Sequence, residues 1–174
     1  YTVRLCIPSK HYADFVALNR PFKIMPTHKA SVTMATSYAQ MTSAWNRYPT
    51  YSTYLAMMDT FQTQFPNICK IDTILSQTPG NHALLVAHIS NNLSERGNKP
   101  AFFYTSSMHG DEVVGYYYML HLIHYLLNNY TSNTQVQNII NNVDLWICPL
   151  ENPDGTYHTS NNNLNESPYS TREN

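Results

Sequence analysis

The chain has 174 residues, a formal charge of -1, 43% hydrophobic residues and only 12% charged ones, roughly half the charged share usual in soluble proteins. That is enough for one domain with a real core, alone or with a small attachment, and too little charge for a disordered tail or an ion-pair-rich surface. Lys and Arg are scattered, which leaves no footprint for nucleic acid, and no apolar run is long enough to span a bilayer.

From the N-terminus, Val3, Leu5 and Ile7 alternate, as in a half-buried strand over Thr2–Ile7. Lys10–Leu18 reads as a short helix and Phe22–Met25 as a second strand, so residues 1–29 form a small β-α-β segment. Residues 30–44, rich in Thr, Ser, Ala and Met without a period, read as a linker. From Trp45 the pattern tightens. Tyr54, Met58, Phe61 and Phe65 mark one face of a helix that stops at Pro66. Ile71–Thr78 and Leu84–Ser90 are strands joined across Pro79-Gly80-Asn81, and Ala101–Ser107 is a buried strand. Asp111–Tyr130 is a long helix with Val114, Tyr118, Leu122 and Tyr125 along one side. Val136–Asn142 is a second helix, Val143–Leu150 an apolar strand, and the remainder loop. Strands separated by helices, with one hairpin, predict an α/β fold with a mixed sheet. Cys69 and Cys148 lie in apolar runs and, with Cys6, make an odd count without CxxC spacing, so buried thiols are expected rather than a disulfide framework.

Ligands of open α/β sheets bind beyond the carboxyl ends of the central strands. Two segments lie there. In Ser106-Ser107-Met108-His109-Gly110-Asp111-Glu112, an imidazole and a carboxylate three residues apart at a strand-to-helix corner can turn toward one cation, and Gly110 permits the corner. The spacing alone is weak, because such a pair arises by chance in about one chain in four of this composition. Asp111 and Glu112 read equally well as first-turn carboxylates favoured by the helix dipole. The second segment, Glu151-Asn152-Pro153-Asp154-Gly155, is good turn chemistry.

Together, strand-His109-Gly110-Asp111-Glu112-helix and, some forty residues on, strand-Asn152-Pro153-Asp154-Gly155 resemble the zinc metallocarboxypeptidase family. Tyr48-Pro49-Thr50-Tyr51 looks like that family's entry to its catalytic domain, and Arg172-Glu173-Asn174 like the start of its arginine segment. The resemblance runs from Trp45 to Asn174, making residues 45–174 the N-terminal part of a catalytic domain with a three-layer α/β/α fold and an incomplete mixed sheet. Residues 1–29 resemble the end of a propeptide-like unit. The resemblance implies zinc (Zn2+) bound by His109 and Glu112, with Arg172 as the oxyanion-stabilising arginine, and a peptide substrate whose C-terminal amino acid is hydrolysed. It also implies that the second His ligand, the general-base Glu and the carboxylate-binding residues follow later than Asn174, so that the piece alone is inactive. Where the family carries Gly-Arg at the hairpin turn, this chain reads Gly80-Asn81, a departure that bears on local packing.

His121 and His124 share a helix face with Asn128 and read as a solvated surface pair, while His158 is a remote candidate for a third ligand. Other readings keep the zinc site for peptidoglycan stem peptides or N-acyl amino acids, or make the chain an inactive fragment or binding module. The start at Tyr1 reads as that of a processed piece, and a surface built on Asn, Thr, Ser, Gln and 14 Tyr fits a secreted or periplasmic protein. With the family's later strands missing, Ala101–Ser107 or Val143–Leu150 is left as an apolar sheet edge. Such an edge recruits a second copy, as a homodimer, or the missing C-terminal half.

Overall fold

A computed structural model describes residues 2–25, 33–94, 99–158 and 160–164. The chain divides into two units, Tyr1–Ala30 and Ser31–Asn174. In the first, a single 3-10 turn at Ser9–His11 leads into helix α1, Tyr12–Ala17. The rings of Tyr12 and Phe15 meet that of Phe22. The strands expected over Thr2–Ile7 and Phe22–Met25 do not form among residues 2–25. Alternation makes a strand only where a neighbouring strand completes its ladder, and here Val3, Leu5, Ile24 and Met25 are exposed.

The second unit begins inside the stretch expected to be a linker. Strand β1, Met34–Ala35, and helix α2, Tyr38–Thr42, lie there, with Ala35 and Met41 fully buried. The Ser and Thr content that reads as loop is local capping: the Ser37 hydroxyl accepts from Gln40 N–H at 3.3 Å at the start of α2. β1 pairs in parallel with β2, Tyr48–Pro49. Thr50 then caps α3, Tyr51–Gln64, its hydroxyl accepting from Thr53 N–H at 3.2 Å. Tyr54, Met57, Met58 and Phe61 are buried along this helix, and Phe61 meets the Tyr38 ring of α2 edge-on at 6.1 Å.

Four strands follow: β3, Cys69–Leu75; β4, Leu84–Ile89; β5, Ala101–Thr105; and, after helices α4, Val113–Asn129, and α5, Thr134–Asn142, strand β6, Asp144–Cys148. The order is β3-β4-β6-β5, antiparallel except for the parallel pair β5 and β6, so the sheet is mixed as the sequence predicts. Leu85, Ala87, Ile89, Leu145 and Ile147 join the buried residues of α3 and α4 in one core. Cys69 and Cys148 are buried free thiols, both pushed up to about 12 first by burial, which disfavours the thiolate.

The apolar stripe expected on α4 is not its buried side. Val114, Tyr118 and Tyr125 are exposed, whereas Tyr116, Met119, Leu120, Ile123 and Leu127 enter the core. A helix apolar on nearly all sides offers two stripes to a periodicity argument, and packing decides between them. His121 and His124 also differ from expectation: Trp45 stacks on His121 at 4.4 Å and meets His124 at 5.2 Å, so the pair belongs to an aromatic cluster. Burial, followed by the neighbouring His121, lowers the His124 pKa. Because Phe61 is fully buried where α2, α3 and the sheet meet, Phe61→Ala is expected to destabilise the fold by about 3–5 kcal/mol. A urea titration checks this, and a loss below about 1 kcal/mol would mean the site collapses without a cavity.

Candidate functional site

Strands β5 and β6 end side by side, and their pairing continues beyond both. Ser106 N–H donates to Cys148 O at 3.1 Å, Glu151 N–H to Ser106 O at 3.0 Å and Asn152 N–H to Ser107 O at 3.0 Å. The chain must then leave the sheet, and Ser107 does so with left-handed backbone, φ 57°. For a residue with a Cβ that conformation costs about 1–2 kcal/mol. The Ser107 hydroxyl offsets it by donating to Glu112 O at 2.7 Å, closing the loop 106–112 on itself. The strained corner is therefore at Ser107 and not at Gly110. Gly110 answers to space instead: a Cβ there would stand 2.1 Å from Gly155 C and 2.4 Å from Thr156 N.

Within the loop, Glu112 N–H donates to His109 O at 3.1 Å, and His109 Nδ1 stands 3.0 Å from Glu112 Oε2. Both side chains are partly open to solvent, at 28% and 50% exposure. Helix α4 starts at Val113 and has no acid in its first turn, so Asp111 and Glu112 precede it. Glu112 occupies the N-cap without capping; its carboxylate turns to His109. Two donors each about 2.0–2.2 Å from a tetrahedral zinc stand about 3.3–3.6 Å apart, so an imidazole nitrogen and a carboxylate oxygen at 3.0 Å need part by only a few tenths of an ångström to hold one ion. Among the described residues no third His, Cys, Asp or Glu completes a metal-binding group with them.

The opposing wall is the turn after β6. Asn152 caps the four-residue helix α6, Pro153–Thr156, by accepting from Gly155 N–H at 2.7 Å through Oδ1, with Pro153 at the first helical position. Asp154 fastens this turn to the β3–β4 hairpin. It accepts from the Thr78 hydroxyl at 2.5 Å and Gly80 N–H at 2.9 Å, and faces His82 Nδ1 at 2.6 Å. A Cβ on Gly80 would meet Asp154 Oδ1 at 2.5 Å. His82 is buried, its Nε2 lies 2.8 Å from Asn161 Oδ1 and the Tyr51 ring meets it edge-on at 4.5 Å. Burial alone would raise the Asp154 carboxyl, but the hydrogen bonds from Thr78, His82 and Gly80 outweigh it and hold the group below its usual value.

A family model described as zinc carboxypeptidase matches residues 54–174. The chain belongs to the zinc carboxypeptidase family. Human Carboxypeptidase D is 36% identical over 97 residues, which are 55% of this chain and 7% of that protein. Carboxypeptidase D of Drosophila melanogaster is 29% identical over 124 residues, 69% of this chain and 9% of its own length. The matched stretch is thus under a tenth of either relative. Among solved structures, thrombin activatable fibrinolysis inhibitor superposes with a TM-score of 0.65 over 76% of this chain and 31% of that one, at 17% identity, a likeness of fold.

Of the residues that the resemblance to zinc carboxypeptidases singles out, the structure brings His109 and Glu112 together, whereas Arg172 lies outside the described residues. His158 lines an open cleft with Gly80, His82, Asp154, Tyr157 and Asn161, on the hairpin side of the turn. Sequence reasoning missed His82 and Thr156. His82 carried the signal of a polar residue between a turn and an apolar strand; Thr156, one residue beyond the Asn-Pro-Asp-Gly turn, carried none. A carboxyl held below its usual value stabilises the fold above its unfolded pKa, about 3.9, and loses that contribution as pH falls through its folded value. Asp154→Asn is therefore expected to cost about 1–3 kcal/mol at pH 7, with the gap to wild type narrowing only below about pH 4. Urea midpoints from pH 7 to 2.5 measure it, and a pH-independent gap would remove the charge from the explanation.

Proposed function

We propose that His109 and Glu112 are two protein ligands of a catalytic zinc, and that the protein acts in a carboxypeptidase reaction releasing C-terminal amino acids from peptides. The observation that carries this reading is the 3.0 Å approach of His109 Nδ1 and Glu112 Oε2 at the carboxyl end of β5, in a chain of the zinc carboxypeptidase family. Zinc bound at such a site polarises a water and the scissile carbonyl. The chain's own part is to present one nitrogen and one carboxylate oxygen at a corner that Ser107 closes and Gly110 seats on the wall. Arg172, by the family likeness, is the residue that would hold the developing oxyanion. An exported location, secreted or periplasmic, goes with the low-charge, Asn- and Tyr-rich composition; among the described residues no helix is long and apolar enough to cross a membrane.

Catalytic zinc normally has three protein ligands, and two leave the remaining positions to water. With these two ligands alone among the described residues, the 174-residue chain is expected to bind zinc weakly and to release no amino acid from a test peptide. His109→Ala and Glu112→Gln should each lower zinc affinity by about tenfold or more without altering the unfolding midpoint in chelator. Zinc binding unchanged in both variants would overturn the assignment.

The sheet edge bears on partners. Among the described residues β5 is the last strand of the sheet, and Phe102, Phe103 and Tyr104 are 54%, 59% and 43% exposed, although they alternate between its two faces. With no charge on the strand to discourage pairing, the purified chain is expected to associate with a second copy through this edge. Light scattering over a concentration series tests it: mass rising toward a dimer or beyond is expected, and a monomer at every concentration would exclude it.

A further inference from the structure

We propose that Thr156 is a positioning residue for His109: its buried hydroxyl sets the height and tilt of the loop that carries the imidazole. The inference rests on His109 being a metal ligand only for its functional meaning; the geometry stands without it. The loop 106–112 has no regular secondary structure and is held at three places; at its start Ser107 O accepts from Asn152 N–H at 3.0 Å. At the Glu112 end the fastening is internal, the Ser107 hydroxyl donating to Glu112 O. In the middle it is external. Thr156 Oγ1 donates to Gly110 O at 3.0 Å, and Gly110 is the residue immediately after His109.

Three features make this contact a control point. Gly110 is buried, so its carbonyl needs a partner, and a side chain from another segment supplies one. Thr156 is 1% exposed and sits on a rigid base: its own N–H donates to Asn152 O at 3.1 Å, and the Asn152 side chain caps Gly155 N–H. Finally, the backbones of Gly110 and Gly155 touch without room for a Cβ, so the loop cannot drop closer, and the hydroxyl holds it against lifting away. A lift at Gly110 would swing the His109 ring relative to Glu112, whose backbone is tied separately through Ser107.

The test uses the full chain and two substitutions. Thr156→Val keeps the shape and removes the donor; Thr156→Ser keeps the donor and removes a methyl. Hydrogen exchange of a peptide covering 106–112, measured without metal, is expected to quicken about tenfold or more in Thr156→Val and to stay near wild type in Thr156→Ser, with exchange in α3 and β4 unchanged. Zinc affinity, read by competition with a chelating dye, should fall about tenfold in the valine variant and return to within about twofold in the serine one, the range typical of groups that orient metal ligands. Wild-type exchange and affinity in Thr156→Val, or failure of serine to restore them, would overturn the proposal. Should the valine variant not fold, Thr156→Cys replaces it, with intermediate exchange expected and wild-type exchange counting against. If the wild-type chain binds no zinc but the exchange pattern holds, the metal reading fails and the positioning of the loop stands. If all variants bind zinc equally and exchange is unchanged, the positioning role fails and the metal reading stands.

Discussion

The architecture of the site depends on the contact between the backbones of Gly110 and Gly155. Two parallel strands, β5 and β6, deliver their chains to the same end of the sheet, and each chain must then turn away. The strand ladder continues past its formal end through Ser106 and Ser107, and because Gly110 carries no Cβ its backbone can then lie directly against that of Gly155 and Thr156. A side chain on Gly110 would separate them, and with that the Thr156–Gly110 bond and the close seating of the His109 loop would go. The His109–Glu112 pair is thus placed by a packing constraint.

A second consequence of the sheet order concerns surface. The central strands β4 and β6 are buried along most of their length, while β5 at the edge exposes consecutive aromatic residues. Helix α4, which follows β5 through the His109 loop, is likewise apolar on the side that does not enter the core, with Val114, Tyr118 and Tyr125 exposed. Both elements next to the candidate site therefore present apolar surface of a kind that usually lies inside an interface or under further structure. The opposite edge, β3, also ends in exposed apolar residues, Ile74 and Leu75, but its first half carries Lys70 and Asp72, which pair at 2.6 Å.

Much of this is legible in the sequence, and the failures have specific causes. The hairpin, the long helix and the strands on either side of it follow from periodicity and turn residues, and the pairing of His109 with Glu112 follows from corner spacing joined to the family likeness. Thr2–Ile7 has strand alternation but, among the described residues, no partner strand, which a local pattern cannot supply. The segment around Ala35 and Met41 reads as loop because its Ala and Met follow no period among the Thr and Ser, yet each of those two is fully buried. On α4 the choice of buried face is not decidable from apolarity present on nearly every side. Gly110 suggests a conformational need and instead meets a need for clearance. The residue in the left-handed region, Ser107, gives no sign of it because serine is not selected for that conformation.

The departure at the hairpin turn, Gly80-Asn81 in place of Gly-Arg, resolves in the same physical terms. Asn81 takes the left-handed position of the turn, φ 64°, with its N–H donating to Thr78 O at 2.9 Å, a role that asparagine fills with little strain. Its part is conformational. The imidazole facing Asp154 comes one residue later, from His82, which is buried and held from three sides by Asp154, Asn161 and the Tyr51 ring. The Tyr51 hydroxyl in turn accepts from Ala83 N–H at 2.6 Å, while the Tyr51 N–H donates to Asn161 O at 2.8 Å, so α3, the hairpin and the segment after α6 close on one another. A flexible arginine could reach Asp154 from a looser turn; an imidazole cannot, and the hairpin must come close enough for Gly80 N–H and the Thr78 hydroxyl to bond the same carboxylate. The short side chain at position 82 and the absence of one at position 80 are therefore two parts of a single requirement, that the hairpin press directly on the turn forming the wall opposite His109.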